Sequence, residues 1–85
     1  MKINLSKNFN KSLNRLDSEL QKKVLLKLRI FKEDWKHPSL KTHKLKGELD
    51  EIWSFRITYS VRVLFYFEKE DIILVLDIGQ HNDIY

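Results

Sequence analysis

Apolar residues recur at helical spacing through the first 35 positions of the chain, and this stripe limits the fold more than any other feature. Its members follow one another at intervals of three or four residues: Phe9, Leu13, Leu16, Leu20, Val24, Leu28, Phe31 and Trp35. That interval is the repeat of an amphipathic helix. Asp17 and Ser18 interrupt the pattern, and Ser18 with Gln21 has the spacing of a capping box, so the sequence predicts two helices or one bent helix. The helical region ends before Pro38, because the residue preceding a proline avoids the α conformation.

Segments rich in β-branched and aromatic residues lie on both sides of the helical region. Short stretches at 2–5 and 43–47, two alternating segments at 52–59 and 61–67, and a final apolar segment at 72–78 have this character. Such segments, bounded by charged or glycine-containing turns, are typical of β-strands. Together with the helices they predict an α+β fold of the order β-α-α-β-β-β. In this fold a helical hairpin packs on one face of a mainly antiparallel four-stranded sheet.

The length of the chain and its lack of cysteine restrict both architecture and chemistry. With 85 residues, a second domain could not bury a core of its own, so we expect residues 1–85 to form a single domain. The lack of cysteine excludes a disulfide scaffold and a cysteine nucleophile, and no histidine pair has the spacing of a zinc site, so we expect no metal and no cofactor. The longest uncharged apolar run, 72–76, is far shorter than the ~20 residues that span a bilayer. These features predict a cytoplasmic protein without membrane contact.

Basic residues are concentrated in the first half of the chain. Residues 1–47 hold 13 of the 16 lysines and arginines but only 4 of the 12 aspartates and glutamates. Such an asymmetry is typical of proteins that bind a polyanion. It is equally typical of the solvated faces of amphipathic helices, so charge alone leaves both interpretations open.

Strand alternation predicts which side chains share a face of the sheet. The odd-numbered residues of 53–59, including Tyr59, and of 61–67 are apolar or aromatic, so we expect both sets to face the helices. The hairpin must then pair Arg56 with Arg62 on the other face. Two arginines placed directly opposite each other repel, so something must offset their charge. A pair of guanidinium groups is suited to holding the oxygens of a phosphate.

The same counting extends to the neighbouring strands. It places Lys44 and Lys46 on the face of the two arginines, and it puts Asp77 opposite Arg62. An ordinary salt bridge between Asp77 and Arg62 is therefore the alternative to a bound anion. For the last strand, the counting turns four residues toward the helices, namely Ile72, Leu74, Leu76 and Ile78.

The counting also leaves an apolar patch on the face away from the helices, formed by Leu64, Tyr66, Ile73 and Val75. Patches of this kind usually mark a surface for a partner. The chain termini or a second copy of the chain could cover the patch equally well.

Three segments carry a resemblance to a known family. They are His-Lys-Leu-Lys-Gly at 43–47, Trp-Ser-Phe-Arg-Ile-Thr at 53–58 with a second arginine six residues after the first, and the ending Gly-Gln-His-Asn-Asp-Ile-Tyr at 79–85. With these segments the chain resembles the RelE/ParE superfamily, the toxins of bacterial type II toxin–antitoxin systems. It is most similar to the RelE, YoeB and YafQ ribonuclease branches, over nearly its whole length.

The resemblance implies a small cytoplasmic endoribonuclease, an mRNA interferase that cuts mRNA in the ribosomal A site and thereby inhibits translation. It implies that the enzyme works without a metal ion and that a cognate antitoxin protein neutralises it. RNA supplies its own nucleophile, the 2′-hydroxyl, so cleavage needs only a base, cations at the phosphate and an acid. Lys44 and Lys46 resemble the RNA-binding lysines of the RelE branch.

The resemblance also implies catalytic roles for five residues. His43 falls where related ribonucleases place a general base, and Arg56 and Arg62 match the arginines that hold the scissile phosphate. His81 matches a histidine proposed as the general acid, and Tyr85 matches a terminal aromatic residue. Histidine suits both roles because its charge changes near neutral pH.

One departure from the family pattern concerns the last strand. Several ribonucleases of the family carry an arginine at its end, where this sequence has Asp77. An acidic residue there would repel phosphate. Asp77 therefore favours two alternatives, a ParE-like inhibitor of DNA gyrase without nuclease activity and a catalytically weak RelE-like binding protein.

Overall fold

The computed structural model describes residues 1–45 and 51–80. Its helices are α1 (Lys7–Arg15), α2 (Ser18–Glu33) and a short 3-10 helix at Pro38–Leu40. Its strands are β1 (Lys2–Leu5), β2 (His43–Lys44), β3 (Trp53–Arg56), β4 (Val61–Lys69) and β5 (Ile72–Gln80). None of the helices in this part of the chain has the length and apolar character needed to cross a membrane.

The strands form one mixed sheet in the order β1-β5-β4-β3-β2. β1 runs parallel to β5, and the other neighbouring strands are antiparallel. The predicted α+β class, with both helices packed on one face of the sheet, is confirmed. The sheet has five strands in the described residues rather than the predicted four, because the short His43–Lys44 segment pairs with β3 while β1 adds the opposite edge.

Two separate helices form because each has its own N-terminal cap. The backbone N–H of Phe9 donates to Ser6 Oγ at the start of α1 (3.0 Å), and that of Leu20 donates to Asp17 Oδ1 at the start of α2 (2.9 Å). The N-cap of α2 is therefore Asp17. The predicted capping box, which required Ser18 as the N-cap, is not formed. Between the helices, Leu16 has an extended backbone, which breaks the helical hydrogen-bond pattern.

An aromatic cluster joins the helices to the sheet. The ring of Phe31 on α2 stacks on Phe55 with 4.5 Å between centroids and meets Phe65 edge-on at 4.8 Å. Trp35 packs edge-on against Trp53 at 5.3 Å. Phe31, Phe55 and Phe65 are almost completely buried, so this cluster is the centre of the core and fixes β3 and β4 relative to α2.

The first half of β5 faces the opposite way from the prediction. Ile73 and Val75 are completely buried in the core, whereas Ile72, Leu74 and Leu76 are only partly buried. The prediction holds again at Ile78, which packs against the core. The sequence could not reveal this switch, because 72–76 is apolar at every position and carries no alternation.

A β-bulge causes the switch in β5. One step along β4, from Leu64 to Phe65, corresponds to two steps along β5, from Asp77 to Val75, so Leu76 is the extra residue. Ser6 supports this bulge, because its hydroxyl donates to the Leu76 carbonyl (2.5 Å). The residue that caps α1 thus also supports the irregular part of β5.

Candidate functional site

Arg56 and Arg62 lie directly opposite each other on β3 and β4, as the alternation predicted. Their neighbours Phe55 and Val63, also a directly opposed pair, are completely buried against the helices. Since successive side chains of a strand project from opposite faces of the sheet, both arginines project from the face away from the helices. We call this face, which carries Ser54, Arg56 and Arg62, the arginine face.

The two arginines are unusual in their burial and in the hydrogen bonds that their Nε atoms lack. Arg62 is only 5% exposed, and Arg56 is partly buried. The Nε atoms of both side chains are buried without a hydrogen-bond partner, and no carboxylate in residues 1–45 and 51–80 forms an ion pair with either one. A buried cation without a partner is strongly unfavourable unless an anion joins it. The pair therefore has the properties of an oxyanion-binding site.

Asp77 does not neutralise this pair, and its predicted position opposite Arg62 is wrong. Arg62 pairs with Gly79, which brings no side chain to that position. The Asp77 carboxylate instead accepts hydrogen bonds from Ser12 Oγ on α1 (2.5 Å) and from the backbone N–H of Ile78 (2.8 Å). In the register of β4 and β5, Asp77 is paired with Leu64, and its carboxylate is engaged by Ser12 of α1 and not by either arginine.

The two residues of β2 occupy opposite faces of the sheet, and the structure reverses the expectation for Lys44. Lys44 pairs with Trp53 on the helical side, and its Nζ lies 5.5 Å from the centroid of the Trp53 ring. His43 pairs with Ser54 and therefore shares the arginine face. The sequence predicted the reverse because it continued the alternation through 43–47 without knowing the register of β2.

The ring of His43 has a defined orientation. Its Nδ1 lies 3.0 Å from the carbonyl oxygen of Lys41, a residue in the left-handed backbone conformation with φ of 50°. A carbonyl oxygen only accepts, so Nδ1 carries the proton and the lone pair of the neutral ring is on Nε2. That tautomer is the one a general base requires when the Nε2 atom takes the proton.

Three of the predicted site residues, Lys46, His81 and Tyr85, lie outside the described residues, and their roles remain predictions. The site has a further aromatic residue that the sequence placed in the core. Tyr59 is 79% exposed in the loop between β3 and β4, because β3 ends at Arg56 instead of continuing to position 59. Its ring centroid is 5.6 Å from the Arg56 Cζ.

The predicted apolar patch is only partly present. Ile73 and Val75 belong to the core, so they do not line the arginine face. Leu64 and Tyr66 remain partly exposed there, and Tyr66 pairs with Leu74 of β5. Across the described ranges, no group of three or more histidines or acidic residues is arranged to hold a metal ion.

Solved structures of several toxins share this architecture. A YoeB/ParE toxin from Agrobacterium tumefaciens has 22% sequence identity and a TM-score of 0.77, with 95% of this chain and 99% of that chain covered. RelE in the archaeal RelE–RelB complex from Pyrococcus horikoshii has 18% identity and a TM-score of 0.74, with 94% and 93% covered. A copper-bound mutant toxin from Helicobacter pylori has 29% identity and a TM-score of 0.66, with 100% and 99% covered.

The fold and the paired arginines define a toxin of the RelE/ParE superfamily, as the sequence motifs predicted. The family model for the ParE toxin of type II toxin–antitoxin systems matches residues 3–85, so the chain belongs to that family. No curated protein matches the chain in sequence. Membership of a toxin–antitoxin family supports an antitoxin as a partner of this protein.

Proposed function

We propose that this toxin is a metal-independent endoribonuclease, an mRNA interferase that cuts mRNA in the ribosomal A site. The observation that carries the proposal is the directly opposed pair of Arg56 and Arg62, whose Nε atoms are buried without a partner. A phosphate diester would supply the missing acceptors, and two guanidinium groups can neutralise the charge that develops on the phosphorus oxygens during cleavage.

The reaction needs no atom beyond those of the RNA and the toxin. His43 takes the proton of the 2′-hydroxyl, whose oxygen attacks the neighbouring phosphorus. The bond from phosphorus to the 5′ oxygen breaks, and His81 returns a proton to that oxygen. The products are a 2′,3′-cyclic phosphate and a free 5′-hydroxyl, while Arg56 and Arg62 stabilise the pentacovalent intermediate.

Three further residues complete the proposal. Tyr85 is proposed to contact the RNA at the end of the chain. Lys44 and Lys46 are proposed to contact the RNA backbone. The position of Lys44 on the helical side of β2 implies that it reaches RNA only at the rim of the site.

Primer extension on an mRNA that is being translated tests the proposal. We expect codon-phased cuts with the wild-type toxin and none with Arg56→Gln, Arg62→Gln or His43→Ala. The matched control is Arg29→Gln, which removes an exposed arginine from α2 and should leave the cuts unchanged. Growth arrest with intact mRNA would contradict the proposal.

The family match to ParE toxins favours a second candidate, inhibition of DNA gyrase without nuclease activity. In that case the arginine pair would bind an acidic surface or a nucleic-acid phosphate without chemistry. Blocked supercoiling with intact mRNA would identify this function. A protein that causes no growth arrest and neither cuts mRNA nor blocks supercoiling would be a binding relative without toxicity.

The antitoxin is proposed to be an acidic, partly disordered protein that folds on the basic helices and the arginine face. Disordered protein segments of this kind bind by folding onto a surface that is already formed. Co-expression with a candidate antitoxin, a small acidic protein encoded beside the toxin gene, should suppress growth arrest and give a complex that purifies intact. A toxin that stays active and alone under these conditions would contradict this partner.

A further inference from the structure

We infer that Gly79 is a positioning residue of the oxyanion-binding site, because its missing side chain leaves the room that the Arg62 guanidinium group needs beside Arg56. The inference rests on the proposed function, in which the two arginines hold a phosphate diester of RNA. The reaction scheme above assigns no role to Gly79.

The register of the sheet places position 79 on the arginine face. Gly79 on β5 is paired directly with Arg62 on β4. The preceding pair of this ladder, Val63 with Ile78, packs in the core on the helical side. Directly paired residues share a face of the sheet, and successive residues alternate between the faces. A side chain at position 79 would therefore project next to Arg62.

The backbone at Gly79 does not explain why a glycine stands there. Gly79 belongs to β5 (Ile72–Gln80) and keeps its antiparallel pairing with β4. The two irregular steps of this ladder lie further along β4, after Leu64 and after Phe67. Any residue type can adopt the extended backbone of a strand, and glycine weakens a strand because it packs no side chain. A glycine inside a strand often marks a place that another group approaches closely.

The surroundings of Arg62 identify the group that needs this room. Arg62 projects from a face that the helices do not cover, yet it is only 5% exposed and its Nε atom is buried. In one neighbouring strand its partner is Arg56, whose like charge repels it. In the other its partner is Gly79, which has no side chain. The guanidinium group of Arg62 therefore finds room close to the sheet on the side of Gly79.

The guanidinium group of Arg56 is placed by a different neighbour. Its Cζ lies 5.6 Å from the centroid of the Tyr59 ring, an arrangement in which the cation and the ring attract each other. The ring thus engages Arg56, and the space above Gly79 receives Arg62. This arrangement limits the repulsion between the two cations and lets both of them donate hydrogen bonds to one oxyanion.

A side chain at position 79 would act on the site through Arg62. The methyl group of an alanine fills part of the room, and the branched side chain of a valine fills more of it. Either one displaces the Arg62 guanidinium group from the sheet or moves it toward Arg56, where the repulsion is greater. A phosphate would then be held by one arginine instead of two. Phosphate binding should fall although both residues suit a strand better than glycine does.

Fluorescence anisotropy with a labelled six-nucleotide RNA tests the inference. All riboses carry 2′-O-methyl groups, which block cleavage, and the salt concentration is low and constant because phosphate contacts depend strongly on salt. We expect Gly79→Val to bind about tenfold more weakly than the wild type, as for the loss of one hydrogen bond to a charged group, and Gly79→Ala about threefold more weakly. In urea denaturation, neither midpoint should lie below that of the wild type. Gly79→Ala carries the test alone if Gly79→Val does not fold.

A double-mutant cycle separates an effect through Arg62 from a direct collision with the RNA. If Gly79 acts by positioning Arg62, Gly79→Val should weaken binding no further in the Arg62→Gln variant. The NMR signal of the Arg62 Nε–H group should shift in Gly79→Val, while that of Arg15, an exposed residue of α1, should not. The matched control is Gln80→Val, which puts the same side chain at the next, exposed position of β5, on the other face, and should leave the RNA affinity unchanged.

The outcomes separate this inference from the proposed function. If Arg62→Gln weakens binding while both Gly79 variants bind like the wild type, the role of Gly79 is wrong and the phosphate site stands. An equal loss from Gly79→Val with and without Arg62→Gln would also overturn that role, as would a lowered urea midpoint for Gly79→Ala. If Arg56→Gln and Arg62→Gln bind like the wild type, the phosphate site is wrong and the inference falls with it.

Discussion

Ser12 on α1 donates a hydrogen bond to the carboxylate of Asp77 on β5, across 65 positions of the sequence. The contact joins a helix to the bulged strand that borders the arginine face. It also affects the electrostatics of the site, because it engages the carboxylate with α1, while the residue paired with Arg62 is Gly79. Asp77, the residue that departs from the family pattern, therefore does not form an ion pair with the arginines.

Asp77→Asn should leave phosphate binding nearly unchanged. The asparagine can keep the hydrogen bonds of Asp77, and a charge that forms no ion pair with the arginines contributes little, so we expect the affinity for inorganic phosphate to change by less than about threefold. Isothermal titration calorimetry measures this affinity, with Asp71→Asn in the exposed turn after β4 as the matched control. A tenfold gain in affinity confined to Asp77→Asn would show that the carboxylate does oppose the anion.

Arg62→Met should stabilise the fold and abolish function. The substitution replaces a buried, unpaired cation with an apolar side chain of similar length, and removing buried charges in this way can stabilise a protein by ~1–3 kcal/mol. Urea denaturation measures the free energy of unfolding, and primer extension measures the cuts. Arg29→Met is the control and should change stability by less than about 0.5 kcal/mol, as surface substitutions usually do. A loss of stability in Arg62→Met would mean that the arginine has a structural role.

The sequence predicted those parts of the fold in which the spacing of apolar residues is compatible with only one arrangement of side chains on the two faces of the sheet. The alternation in β3 and β4 fixed the pairing of Arg56 with Arg62. A shift of the register by one residue would have exposed the side chains of Phe55 and Val63 to solvent. β5 was not predictable in the same way. Its apolar run satisfies either register, and the bulge at Leu76 depends on a contact with Ser6, far away in the sequence.

The candidate site was predicted to the extent that it follows from strand alternation. The arginine pair needed only the hairpin register. The faces of His43 and Lys44 depended on the pairing of a two-residue strand, which no pattern specifies. Tyr59 was missed because an aromatic residue at an odd position continued the apparent strand, whereas the chain turns after Arg56. A tyrosine followed by serine just before the next strand was the available signal for a loop.

Asp17→Ala should weaken α2 more than Ser18→Ala does. Asp17 accepts a hydrogen bond from the Leu20 N–H, so its loss should lower the free energy of unfolding by about 1 kcal/mol, the usual contribution of a helix cap. Ser18 is the first residue of α2 and is exposed, so Ser18→Ala is a matched neighbouring control that should change stability by less than ~0.5 kcal/mol. Urea denaturation of the two variants compares them directly. Equal losses, or a larger loss for Ser18→Ala, would restore the capping box predicted from the sequence.

Inorganic phosphate should stabilise the wild-type toxin through the arginine pair. An anion that binds only the folded state raises the free energy of unfolding by RT ln(1 + [L]/Kd), which is about 1.4 kcal/mol at ten times the Kd. Urea denaturation in phosphate and in chloride of equal ionic strength isolates this effect from general screening of the basic helices. In Arg62→Met the difference between the two salts should disappear, because the buried cation that requires an anion is gone, while Arg29→Met should keep it. An equal phosphate effect in both variants would assign anion binding to the helices and would leave the arginine face without its ligand.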